Sequence, residues 1–243
     1  MKKQIPNIIT LCNLLCGVIA TLYAANGLLT EAATFIFLGI IFDFFDGMTA
    51  RLLHVSSPIG KELDSLADVV TSGVAPGAIL FFILGTYTPY NWLRWVALLI
   101  PAFSAYRLAK FNLDTRQTHS FLGLPTPANA LIWAVLGIAF TRPELCQIAL
   151  LPIPNLFSMP TAHIEMPVLA VLSLLLDIAL ISEIPLFSLK FKNLTWCDNR
   201  VRFIYLLSCM ALIILFGLYG IALSVLWYIA LSLLTQQKAP EHE

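Results

Sequence analysis

The chain has 243 residues, 59% of them hydrophobic and only 12% charged, whereas soluble domains carry about 25% charged residues. Fourteen Lys and Arg are matched by fourteen Asp and Glu, so no basic excess is available to bind a polyanion and nucleic acid is not expected as a partner. The five cysteines fall mostly in apolar runs without zinc-site or disulfide-framework spacing, and read as small buried side chains.

A bilayer core takes about 20 apolar helical residues per crossing, and that length fits about eight times along this sequence. The predicted helices cover 6–26, 31–53, 60–85, 90–111, 126–141, 164–184, 201–217 and 220–235. Met1-Lys2-Lys3 flanks the first of these and is read as the start of an uncleaved span. Gly217-Leu218-Tyr219-Gly220 predicts a tight turn between the last two, with one long helix as the alternative. The long connections are 112–125 and 186–200. No repeat or low-complexity linker divides the chain. The expected fold is therefore all-α, a polytopic integral membrane protein forming a single domain over 1–243. With both termini in the cytoplasm, twelve of the fourteen cations fall on that side and only Arg94 and Arg142 on the other. That asymmetry predicts the orientation, and the plasma (inner) membrane is the expected location.

Polarity interrupts the apolar pattern at 43–68. Asp43, Asp46, Gly47, Ala50 and Arg51 follow one another at spacings that put them on one helix face, and Gly60, Asp64 and Asp68 form a second stripe at four-residue intervals. The short link at 52–59 predicts that the two helices lie antiparallel with their acidic faces together. An ionised Asp costs about 2.5–3.5 kcal/mol at the centre of a spanning helix. Arg51 and Lys61 cannot offset four aspartates and Glu62, whereas one or two divalent cations can. Carboxylate oxygens with no His or Cys among them suit Mg²⁺ or Mn²⁺ better than zinc. Gly47, Ala50 and Gly60 leave room for a phosphate-bearing ligand, with Arg51 as its clamp. A structural network of acids, or a cation pathway through a transporter, are the other readings. A pathway would place acids at several depths, and elsewhere only Asp177 lies deep.

Asp43-x2-Asp46-Gly47-x2-Ala50-Arg51-x8-Gly60-x3-Asp64-x3-Asp68 resembles the complete signature of the CDP-alcohol phosphotransferases. These membrane enzymes transfer a phosphate-linked group from a CDP-activated donor to an alcohol. The resemblance implies that Asp43, Asp46, Asp64 and Asp68 hold two divalent metals, that Asp68 is also the catalytic base, and that Gly47, Arg51 and Ser57 bind the CDP moiety. It also implies a homodimer.

Further segments resemble the bacterial and archaeal phosphatidylserine synthases within that family. They are Pro6-Asn7-Ile8-Ile9-Thr10, which places Asn7 and Thr10 near the nucleotide, the run from Leu63 to Pro76, and 107–112, 121–128 and 184–190. Lys110 and Thr71-Ser72 depart mildly from that pattern. The resemblance implies CDP-diacylglycerol and L-serine as substrates, with glycerol 3-phosphate or an inositol phosphate as alternative acceptors. Arg107, Lys110 and Asn112 are candidates for the acceptor's carboxylate, although the two cations also fit as topology anchors. Gly123-Leu124-Pro125-Thr126-Pro127 fits equally as the stop of a connection and the start of a helix. His54, His119, His163 and His242 have no ligand spacing, and Trp92, Trp95, Trp133, Trp196 and Trp227 are expected at interfaces or facing lipid.

Overall fold

The computed structural model describes residues 4–55, 57–88, 90–113, 121–146, 162–187 and 195–236. Helix α1 (Gln4–Ala25) is followed by α2 (Leu29–Leu52) and α3 (Pro58–Asp68), which runs through a π-helical turn (Val69–Val74) into α4 (Ala75–Tyr87). A 3₁₀ segment (Leu93–Leu98) leads into α5 (Leu99–Leu113), and then come β1 (Phe121–Leu122), α6 (Thr126–Thr141), α7 (Pro143–Cys146), α8 (Ala162–Ile181), β2 (Pro185–Leu186), α9 (Trp196–Phe216) and α10 (Tyr219–Gln236). The fold is that of an all-α membrane protein. Four helical runs are long and apolar enough to cross a bilayer, over Gln4–Ala25, Leu29–Leu52, Pro58–Tyr87 and Asn199–Phe216, and three shorter apolar helices accompany them. The cations Lys2, Lys3, Arg116, Lys190, Lys192 and Lys238 of the predicted orientation, with His119 and His242, lie outside the described residues.

The local rules explain where the helices stop. α2 ends in a Schellman turn: His54 takes the left-handed conformation (φ 51°), its N–H donates to the Arg51 carbonyl at 3.2 Å, and the Val55 N–H donates to the Ala50 carbonyl at 3.0 Å. α3 then starts at once, because Ser57 Oγ accepts the Gly60 N–H at 3.0 Å as its N-cap and Pro58 fits the first turn. The π turn precedes Pro76, which has no N–H to give and whose ring would strike the preceding turn of a regular α-helix. There the Ala75 N–H reaches back five residues to the Val70 carbonyl. Gly217 (φ 58°) closes α9 and separates it from α10, so 201–235 is two helices, as the glycine pair predicted. Asn199 kinks the start of α9, and the 3₁₀ opening of the fourth predicted span was not legible.

Packing places α1 against both α2 and α3, whereas α2 and α3, expected to lie side by side, make little direct backbone contact and are brought together through α1. Small residues let these backbones approach, since membrane helices associate by close packing more than by hydrophobicity. Gly39 of α2 is such a point: a Cβ there would meet Thr71 Cγ2 at 2.5 Å and Asn13 Oδ1 at 2.9 Å. Gly39→Ala is therefore expected to destabilise the purified protein by about 1–3 kcal/mol, the usual cost of overpacking, read as a lowered Tm in detergent. One core runs from Ala20 to Val225 and includes residues of α1, α2, α4, α6, α8 and α10. Trp133 corrects the expectation of an interfacial tryptophan. It is 0% exposed, because its indole N–H finds Asn129 Oδ1 one turn away at 3.1 Å and so loses its need for water.

Two short strands join segments distant in sequence, Phe121 pairing with Leu186 and Leu122 with Pro185. The Gly123 N–H then donates to the Ile184 carbonyl at 3.0 Å and the Leu124 N–H to the Ala179 carbonyl at 2.9 Å. Pro125 is the N-cap of α6 and Pro127 sits in its first turn, so this proline pair does start a helix.

Candidate active site

The site lies at the end of the bundle where α1 begins, α2 ends and α3 starts. Asp43 and Asp46 of α2 and Asp64 of α3 each offer a carboxylate oxygen, all within 4.8 Å of one another. The Asp43, Asp46 and Asp64 carboxyls therefore face one another closely enough for their like charges to repel unless a proton or a cation offsets them. Among the described residues none of the three forms an ion pair. Arg51 Nε donates along its own helix to the Gly47 carbonyl at 2.9 Å, and Lys61 Nζ donates to the Asn112 carbonyl at 3.1 Å. Three hard oxygen donors without a protein countercharge fit a divalent cation.

Asp68, one turn beyond Asp64, lies outside that trio. It is 9% exposed and its Oδ1 accepts from Asn13 Nδ2 at 3.3 Å, while remaining in electrostatic reach of Asp64, Asp46 and Arg107. α1 thus supplies a polar face to both acidic helices. Thr10 Oγ1 stands 2.5 Å from Asp46 Oδ2 and 3.0 Å from the Pro6 carbonyl, and the Asn13 carbonyl accepts from Thr71 Oγ1 of the π turn at 2.9 Å. Asn13 was missed in the sequence. The signal was there, because Thr10 and Asn13 are three apart and share the face that meets α2 and α3.

A cleft of about 280 Å³ opens beside Asp46 and Asp64, lined by Pro6, Asn7 and Thr10 of α1, Ala50 and Val55 of the α2 end, and Ser57, Gly60 and Lys61 of the α3 start. A Cβ on Gly60 would come within 2.9 Å of Ser57 Oγ and 3.0 Å of Asn7 Oδ1, so glycine keeps this corner open. Of the expected nucleotide residues, Asn7, Thr10, Ala50, Ser57 and Gly60 line the cleft, whereas Gly47 and Arg51 do not. Arg51 is exposed in the last turn of α2.

The three candidates for the acceptor separate. Arg107 is 8% exposed, its Nε is buried without an acceptor, and it lies in electrostatic reach of Asp68 and of Tyr228 on α10. Lys110 is instead paired with Glu183 at 3.0 Å. Asn112 donates to Ser65 Oγ at 2.8 Å. Tyr228 is fixed by donating to the Phe187 carbonyl at 2.7 Å and by ring contacts with Phe187 and Tyr205.

Comparison with known proteins agrees with this geometry. A sequence profile of the CDP-alcohol phosphatidyltransferase family matches residues 3–160. The chain is 36% identical over 138 residues to the CDP-diacylglycerol–serine O-phosphatidyltransferase of Bacillus subtilis (strain 168), covering 57% of this chain and 77% of that protein. Enzymes of the same name from Helicobacter pylori (strain J99) and Saccharomyces cerevisiae (strain S288c) are 39% and 41% identical over 132 and 119 residues. The match covers 54% of the Helicobacter protein and 41% of the yeast one, so this chain spans about half or less of their length. The profile covers well over half of the chain, including both acidic helices, and the chain belongs to the CDP-alcohol phosphatidyltransferase family.

Proposed function

We propose that the protein transfers the phosphatidyl group of CDP-diacylglycerol to the hydroxyl of L-serine, giving phosphatidylserine and CMP. The observation that carries this reading is the trio Asp43, Asp46 and Asp64, three carboxylates within 4.8 Å of one another, two of them lining a cleft, and without an ion-pair partner among the described residues. The printed names of the relatives supply the donor and the acceptor. Mg²⁺ or Mn²⁺, as two ions held by Asp43, Asp46, Asp64 and Asp68, would neutralise the diphosphate and stabilise CMP as it leaves.

The chain's own residues do the remainder. Asn7, Thr10, Ala50, Ser57 and Gly60 hold the nucleotide in the cleft. Gly47 leaves the α2 surface low, and Arg51 turns from the Gly47 carbonyl toward a phosphate. Asp68 takes the proton from the serine hydroxyl as its oxygen bonds to the phosphorus nearer the lipid and the bond to the CMP oxygen breaks. Arg107 receives the serine carboxylate, and Lys110 and Asn112 fix the floor beneath it through Glu183 and Ser65.

The test offers purified protein CDP-diacylglycerol and Mg²⁺ or Mn²⁺ with serine, glycerol 3-phosphate or inositol phosphate. Metal-dependent CMP release with phosphatidylserine as the main product is expected. A preference for another acceptor would overturn the serine assignment, and no CMP release with any would overturn the transfer. Arg107→Ala is expected to raise the serine KM about 10–100-fold with little change in the donor KM, the loss of one charge-assisted contact of about 1.5–3 kcal/mol.

The site end of the bundle is read as cytoplasmic, with both termini on that side of the inner membrane, eight spans in all and one domain over 1–243. Reporter fusions in the 112–125 connection are expected to report the cytoplasm; an external signal would sink this topology. A homodimer is expected by light scattering in detergent.

A further inference from the structure

The end of the bundle opposite the acidic cleft carries an arginine that the transfer reaction does not use. Thr10 and Ala25 are 15 residues apart on α1, about 22 Å along its axis, and Arg94 belongs to the Ala25 end. Its guanidinium carbon lies 5.2 Å from the Phe81 ring centroid and 5.3 Å from that of Trp95. The two rings, 5.3 Å from each other, lie to one side of the guanidinium, and aromatic faces do not satisfy N–H donors in the plane of the group. The Arg94 Nε is buried with no acceptor, and among the described residues Arg94 pairs with no carboxylate.

A cavity of about 340 Å³ adjoins it, with apolar walls from Ala25, Ala78 and Phe82, and with Thr86 and Gly85 beside the cation. A Cβ on Gly85 would already touch Arg94 Cδ at 3.4 Å and approach Nη1 at 3.9 Å, so a larger residue there would fill the approach. Tyr90, Trp92 and Trp95 are exposed around this end, which sets it at headgroup level, where such rings concentrate. An arginine that borders a cavity, pairs with no described carboxylate and has its Nε unmet suits an anion, whose oxygens the guanidinium fork can take in pairs. At that depth the abundant one is a lipid phosphate, and the apolar walls accept the first part of its chains.

We infer that Arg94 and this cavity bind the phosphodiester of a membrane phospholipid, at a site separate from the donor cleft. The inference does not depend on the proposed transfer reaction. Its test uses delipidated full-length protein in detergent with EDTA, and three probes: phosphatidylglycerol, diacylglycerol with the same chains, and inorganic phosphate. Native mass spectrometry and thermal unfolding read the result. One retained phosphatidylglycerol and a raised Tm are expected, with no such effect from diacylglycerol or phosphate. Arg94→Gln is expected to weaken retention about tenfold or more, and Gly85→Val, which keeps the charge and fills the approach, should do the same. Arg142→Gln, at another cation of the sequence's external pair, should retain the lipid. Equal retention by wild type and Arg94→Gln would overturn the site. Equal stabilisation by inorganic phosphate alone would overturn the lipid as its occupant, and equal stabilisation by diacylglycerol would overturn the role of the phosphate.

Discussion

Asp43→Asn, Asp46→Asn and Asp64→Asn are each expected to lower metal-dependent CMP release by about 100-fold or more, at or beyond the upper end of what outer partners of a metal site cost. Each change keeps the side chain's shape and removes one charged oxygen donor from a trio confined to 4.8 Å. A second readout separates ligand loss from misfolding. Without metal, the wild-type trio holds like charges together with no protein countercharge, so replacing one acid by its amide should leave the metal-free protein as stable or slightly more stable. Added Mg²⁺ or Mn²⁺ should raise the Tm of the wild type by mass action, because the cation binds only the folded arrangement. The three variants should lose that rise. Asp46 has a further dependence, since Thr10 Oγ1 fixes its Oδ2; Thr10→Val should weaken the metal effect without abolishing it. Near-normal turnover in any of the three asparagine variants would remove the shared metal site.

The acidic helices were legible because their chemistry repeats at the helical period. Asp43 and Asp46, then Asp64 and Asp68, stand three or four apart in segments otherwise rich in apolar residues, and nothing about lipid packing produces that pattern. The break at Gly217 was legible for a similarly local reason. What remained hidden depends on contacts between distant segments. The polar face of α1 is plain in the sequence, yet only packing shows that Thr10 reaches Asp46 and Asn13 reaches Asp68. Arg107 and Lys110 look equivalent as cations three residues apart, and Glu183, more than seventy residues away, makes Lys110 an ion-pair partner. Trp133 reads as an interfacial residue until Asn129 satisfies its N–H inside the core. The π turn after Asp68 follows from Pro76, a local cause, but helical periodicity alone does not register it.

Asp68→Asn is expected to lower kcat by about 100–10,000-fold, the span ascribed to a general base, while donor KM changes little. The reasoning rests on position: Asp68 stands one turn beyond the trio at the inner edge of the proposed metal site, is buried, and lies in electrostatic reach of Arg107, where the serine carboxylate is placed. One of its oxygens is engaged by Asn13 Nδ2, which leaves the other to take the proton. Asn13 is itself held, its carbonyl accepting from Thr71 and its Oδ1 enclosed near the α2 backbone at Gly39. Asn13→Ala should therefore lower kcat about tenfold, at least the loss expected when a catalytic group is misplaced by a fraction of an ångström. Since Asn13 acts through Asp68, the double variant Asp68→Asn/Asn13→Ala should turn over no more slowly than Asp68→Asn alone, the non-additivity expected of residues that work as a unit. If the two losses multiplied instead, Asn13 would serve the site by some route other than Asp68. If Asp68→Asn kept its kcat and lost only metal affinity, Asp68 would be a metal ligand alone and the base would have to be sought elsewhere in the cleft.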